Sequence, residues 1–149
     1  MQLSDLYDQD FYAWTKQMAQ ALRDHDVNDI NREHLLIEIE SLGARDCREL
    51  KYRLTTIITH FLKCEWQTNQ SCSHWFSIIS EQRIYIQEML IQSPSLKGEA
   101  EAWFKDDRYY RKAVNMATRE IGISNQALPY RCPYTLSQVL DDNFYPKAE

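Results

Sequence analysis

Glycine and proline are scarce in this chain, with three and four residues among 149. An all-β sandwich or barrel joins many short strands through frequent turns, so this scarcity speaks against one and leaves helix as the expected class. No run approaches the roughly 18 apolar residues of a membrane span, since even residues 55–62 are interrupted by threonines and His60. The N-terminal MQLSDLYDQDFYAW is acidic where a signal peptide is basic and then apolar, so no targeting segment is expected. Four cysteines, Cys47, Cys64, Cys72 and Cys132, lack tight spacing, and a chain of this size can fold on its core without staples. Reduced thiols and a cytoplasmic address follow as expectations.

Basic density is also missing. The net charge is −5; residues 1–46 carry 10 acids and 4 bases, and residues 47–120 carry 9 acids and 11 bases. Nucleic-acid binding draws on many phosphate contacts, and this even middle does not predict it. Neither a nucleic-acid partner nor a membrane is expected. With 44% hydrophobic and 26% charged residues the composition is that of an ordinary globular chain. The length suits one domain, with a core over residues 8–122 and a tail over 123–149.

What is present is helical periodicity. Phe11, Trp14, Met18 and Leu22 form one stripe behind a capping Asp8 or Asp10. Asn31 suits the cap of a second helix reaching Leu42, with Gly43 as its C-cap or a bend. Cys47, Leu50, Leu54, Ile57, Ile58, Phe61 and Leu62 predict a third helix over residues 45–66. Residues 67–74, QTNQSCSH, read as a loop. A fourth helix carries Trp75, Ile78, Ile79, Ile86, Met89 and Leu90 up to Ser93-Pro94. A fifth carries Leu96, Ala100, Trp103, Tyr110, Val114 and Ala117 and ends at Gly122. The tail holds Pro129, Pro133 and Pro146 and is expected to be irregular, apart from one short helix at Leu136, Val139 and Leu140 opened by a Thr135/Gln138 capping box. The expected fold is an all-α compact bundle of about five helices with that tail across it.

Gly-rich phosphate loops, HExxH, GxSxG and paired CxxC motifs are all absent, so no catalytic signature is present. Looser constellations remain. His60, Cys64, Cys72 and His74 have the residue types of a tetrahedral zinc site, though not its usual spacing. Glu33, Glu38, Glu40 and Glu49 supply carboxylates of the kind that hold divalent metals. Glu81, Gln82 and Arg83 interrupt the fourth stripe, and Arg83 shares the face of Ile79 and Ile86. It is expected to be buried and ion-paired with Glu38 or Glu49. Glu38, His60, Glu81 and Arg83 together form the candidate polar site. Tyr109, Tyr130, Tyr134 and Tyr145 fall at helix edges or in the tail and are the candidate interaction surface. No cofactor is expected.

The segments HLLIEIESLG (34–43), REL and RL (48–54), HFLK (60–63), SHWFSIISEQR (73–83), SPSL (93–96) and CPYTLSQVLDDNFYP (132–146) occur in an order that resembles the bacterial domain-of-unknown-function family numbered twenty-nine. The likeness covers about residues 10–146. It implies a compact helical fold and brings no established activity or cofactor. Residues 67–74 are poorer in arginine than the family pattern, and REIG stands at residues 119–122 in place of RETG. The functional expectation is a non-enzymatic protein-binding or regulatory module, with a protein partner or a homo-oligomer. The alternative is a metal-dependent hydrolase of a nucleotide or phosphoester.

Overall fold

The computed structural model describes residues 3–67 and 72–146. Among these the fold is all-α. The helices are α1 (Leu3–Gln9), α2 (Phe11–Arg23), α3 (Arg32–Trp66), α4 (Phe76–Gln92), α5 (Leu96–Phe104), α6 (Asp107–Ile121) and α7 (Leu136–Leu140), with 3-10 turns at Val27–Asp29, Cys72–Trp75 and Asn125–Ala127. No helix among the described residues is long and apolar enough to cross a membrane. The chain forms two compact units, residues 1–46 and 47–149.

In the first unit, Asp10 accepts the Ala13 N–H at 3.0 Å and starts α2, as its capping chemistry predicts. Asn31 does the same for α3 through the His34 N–H at 3.2 Å. Trp14, Met18 and Ala21 are the buried side of α2. The Tyr7 ring stacks on His34 with centroids 4.0 Å apart, and Trp14 meets Tyr7 edge-on at 4.8 Å. This small aromatic cluster seats α1 and α2 on one side of the first turns of α3.

The second unit is built around residues 47–66 of α3. Leu50, Leu54, Ile57, Ile58, Phe61 and Leu62 are closed to solvent, with Ile79 and Ile86 of α4, Ala113 and Ala117 of α6, and Val139 of α7 in the same core. Thr55 and Thr59 are buried too. Each hydroxyl donates to the carbonyl four residues back, Lys51 and Thr55, so neither is left unsatisfied in an apolar setting.

Two helix boundaries differ from the sequence reading. Gly43 ends nothing: α3 runs through it, and its backbone is not in the left-handed region. A single glycine costs a helix only about 1 kcal/mol, and 35 residues of neighbouring turns absorb that. The expected fifth helix is two, because Asp106 accepts the Arg108 N–H at 3.0 Å and opens α6 there. Arg108 bonds the same carboxylate and holds it down at about 2, so the cap stays charged. Gly122 does take the left-handed C-cap, at φ 73°, and Thr135 with Gln138 forms the expected capping box before α7.

These two glycines should respond oppositely to alanine. Gly43 is helical with open space where a Cβ would stand, so Gly43→Ala should stabilise by about 0.5–1 kcal/mol in urea unfolding at low protein concentration. Gly122→Ala forces an L-residue into the left-handed region and should destabilise by about 1 kcal/mol.

Candidate interaction surface

Arg83 lies between Ile79 and Ile86 on the buried side of α4 and is 1% exposed, as the spacing predicts. Its partner is not the predicted one. Nε donates to the Val139 carbonyl at 2.8 Å, and Nη2 donates to the carbonyls of Phe144 at 2.8 Å and Gln138 at 3.1 Å. The guanidinium also lies over the rings of Phe61 and Tyr145, 5.4 and 5.0 Å from their centroids. Burial pulls its pKa below the ordinary arginine value, opposed by Tyr145 and by the carboxylates of Asp142 and Asp141. The last turn of a helix leaves carbonyls without helical donors, and Val139 of α7 offers one to Arg83; Gln138, which also takes the Asp141 N–H at 3.3 Å, and Phe144 offer the others, while the buried Nη1 has no hydrogen-bond partner among the described residues. Glu38 instead accepts the Tyr7 hydroxyl within the first unit, and Glu49 accepts from Arg53 of its own helix at 2.9 Å.

The candidate polar site therefore does not assemble around Arg83. His60 is half-buried; its Nδ1 donates to the Thr56 carbonyl at 2.8 Å, and burial lowers its pKa. Glu81 is exposed. The zinc reading is overturned at its cysteines: Cys64 and Cys72 are bonded to each other, with Cα atoms 4.4 Å apart. The expectation of four reduced thiols is corrected at this pair, while Cys47 and Cys132 are free. Residues 68–71 of the expected loop lie outside the described residues. Among the described residues no three histidine, cysteine or acidic side chains gather as a metal site, and that includes the glutamate set.

The tail aromatics are also placed differently. Tyr109 and Tyr134 belong to the core, and Tyr145 stacks on Phe76 at 4.0 Å with its hydroxyl against Ser80 at 2.8 Å. Of the four tyrosines, only Tyr130 is exposed. The open apolar surface lies elsewhere, along the first turns of α3: Leu36 is 57% exposed, Ile39 65% and Leu42 52%. Three positions apart, they fall within a sector of about 120° at 100° per residue. His34, which meets α1, points about 140° away from Ile39, and Glu38, which accepts from Tyr7, lies one turn from Leu42 at the border of the seam. Arg32 and Glu33 stand at one end of the seam, Arg45 and Asp46 at the other; the last two are neighbours in a loose 4.0 Å contact. The sequence reading gives this stretch only as a helix reaching Leu42, and spacing alone does not say whether an apolar stripe is covered.

A family model described as "Domain of unknown function DUF29" matches residues 6–145. No curated protein matches, and no solved structure does.

Two outcomes follow from the buried polar groups. Arg83→Ala orphans the Val139 and Phe144 carbonyls and removes a ring-packed side chain, and should cost about 3–5 kcal/mol in chemical unfolding. Arg83→Met should recover little, since the stranded partners are main chain and cannot be replaced; Arg83→Lys, a point donor in place of a fork, should still lose about 2 kcal/mol. His60 has a folded-state pKa below its ordinary 6.5, so protonation favours the unfolded chain. Its contribution is complete above pH about 6.5 and is lost as pH falls through the window below. In unfolding titrations from pH 7 to 5, His60→Gln should flatten the decline.

Proposed function

The chain belongs to the DUF29 family, and we propose that it serves there as a non-enzymatic protein-binding module that pairs with a second copy of itself through the first turns of α3. The observation that carries this reading is the Leu36, Ile39 and Leu42 seam, three large apolar side chains side by side and open to water. Scattered single exposures are ordinary, but a contiguous stripe at helical spacing has the form of an interface.

Charge selects the occupant. When two copies of this segment are laid antiparallel about Ile39, Leu36 of each faces Leu42 of the other. Arg32 then meets Asp46, each within about 20° of the direction of Ile39. The segment is thus complementary to itself in sign as well as in apolar register, as a two-fold interface requires. A parallel pairing sets Arg32 against Arg32 and Asp46 against Asp46, which costs energy.

The hydrolase reading has less support. It needs Arg83 open to a substrate, and Arg83 is closed, with its donors directed to the carbonyls of the tail. Enzymatic use of Glu38, His60 and Glu81 would have to proceed without it.

Sedimentation measures the proposal directly. The chain should show a concentration-dependent monomer–dimer equilibrium, and Ile39→Asp should leave it monomeric with unchanged helicity. Arg32→Glu and Asp46→Arg should each weaken the dimer, and the two together should restore it, because the exchanged charges meet between copies. A wild-type chain that stays monomeric up to about 100 μM overturns the reading.

A further inference from the structure

A second feature of the molecule is independent of that seam. Within the second unit, α3, the end of α5 and α6 enclose a cleft of about 510 Å³ whose lining includes Arg48, Lys51, Arg108 and Lys112, together with Tyr52, Trp103 and Tyr109. The volume falls in the range of small-ligand sites. Four cations and a single acid, Asp106, line the cleft of a chain whose net charge is −5.

The cations come from two helices at helical spacing. Arg48 and Lys51 are three apart on α3, and Arg108 and Lys112 are four apart on α6, so each pair faces one way. Asp106 is already engaged: it accepts from Arg108 at 2.8 Å and caps α6. Among the described residues Arg48, Lys51 and Lys112 have no carboxylate within hydrogen-bond or ion-pair distance, although Lys51 acts on Asp106 from farther away. Four cations around one carboxylate leave a net positive potential that favours an anion in the space between them. The aromatic side of the cleft adds a second preference. Trp103 packs on Tyr109 with centroids 4.3 Å apart, while Tyr52, one residue from Lys51, is largely exposed and offers a free ring face.

We propose that this cleft binds a nucleoside phosphate, with Arg48, Lys51 and Lys112 on the phosphates and the base against Tyr52. Lysines act as point charges toward phosphate and arginine as a fork, so a mixed set of three suits a mono- or diphosphate. Base stacking on tyrosine tolerates any base and sets no identity by itself.

Calorimetry of the full chain in phosphate-free buffer tests this, with ADP as the probe and pyrophosphate and adenosine as its two halves. ADP should bind saturably and at least tenfold more tightly than either half. Lys51→Gln with Lys112→Gln should weaken ADP and pyrophosphate at least tenfold with helicity retained; Lys97→Gln with Lys105→Gln, which removes the same charge elsewhere, should not. Tyr52→Ala should weaken ADP and leave pyrophosphate unchanged. No saturable ADP binding by about 1 mM overturns the site. Pyrophosphate binding as tightly as ADP overturns the nucleoside half. Preference for a single-stranded oligonucleotide, with steep salt dependence, assigns the cleft to nucleic acid instead. None of these readouts depends on the dimer, so the two proposals fail separately.

Discussion

The second unit depends on one buried cation. Arg83 sits where the stripe of α4 calls for an apolar residue, and its guanidinium gathers three main-chain carbonyls from the end of α7 and the residues after it. The tail has little regular structure of its own to hold it, since α7 is five residues long. Its anchoring comes from this fork and from the apolar side chains that arrive with it: Val139 enters the core, and Phe144 meets Phe61 edge-on at 5.5 Å. Further out, Gln87 bonds Asp142 at 2.9 Å and Ser80 meets the Tyr145 hydroxyl, so one face of α4 receives the tail along several turns. A buried arginine without a paired carboxylate is tolerable because carbonyl dipoles solvate Nε and Nη2, with Asp141 and Asp142 adding charge from farther away; Nη1 has no hydrogen-bond partner among the described residues.

That arrangement marks where the sequence was legible and where it was not. The burial of Arg83 could be read, because spacing fixes which face a helical residue shares. Its partner could not, because a main-chain carbonyl is present at every position and has no side chain to betray it. The caps at Asp10, Asn31, Gly122 and Thr135 were legible for the opposite reason: each is a side chain or a glycine with a local role. Asp106 has that chemistry too, but Trp103 and Tyr110 continue a stripe across it, and periodicity concealed the break. At Gly43 the error ran the other way, with a breaker residue credited over the helix on both sides of it. Family membership was legible from ordered segments alone, and the helical class with it. The candidate polar site was not, since it joined residues by type without any constraint on where their donors and acceptors would go.

Helix α3 shows how one element can carry two kinds of surface. From Leu54 to Cys64 nearly every side chain is buried, including two threonines and Lys63, whose ammonium reaches Glu120 and lies over the Trp75 ring. From Arg32 to Ala44 no side chain is fully buried, although the leucines and isoleucines there are as apolar as those that follow. Composition does not separate the two stretches; what surrounds them does. An amphipathic helix is stabilised largely by the face it buries, so the first stretch carries apolar surface that its own unit leaves uncovered.

The Cys64–Cys72 bond closes the end of α3 onto the turn that leads into α4. Both sulfurs are shielded, one in the helix and one at the start of that turn. The covalent path from α3 to α4 is therefore double: one route follows the main chain and the other crosses the bridge. A protease that cuts between the two cysteines does not produce two molecules. The pieces stay joined, the core of α3 remains tethered to the helix that bears Arg83, and only a reductant able to reach a buried sulfur releases them.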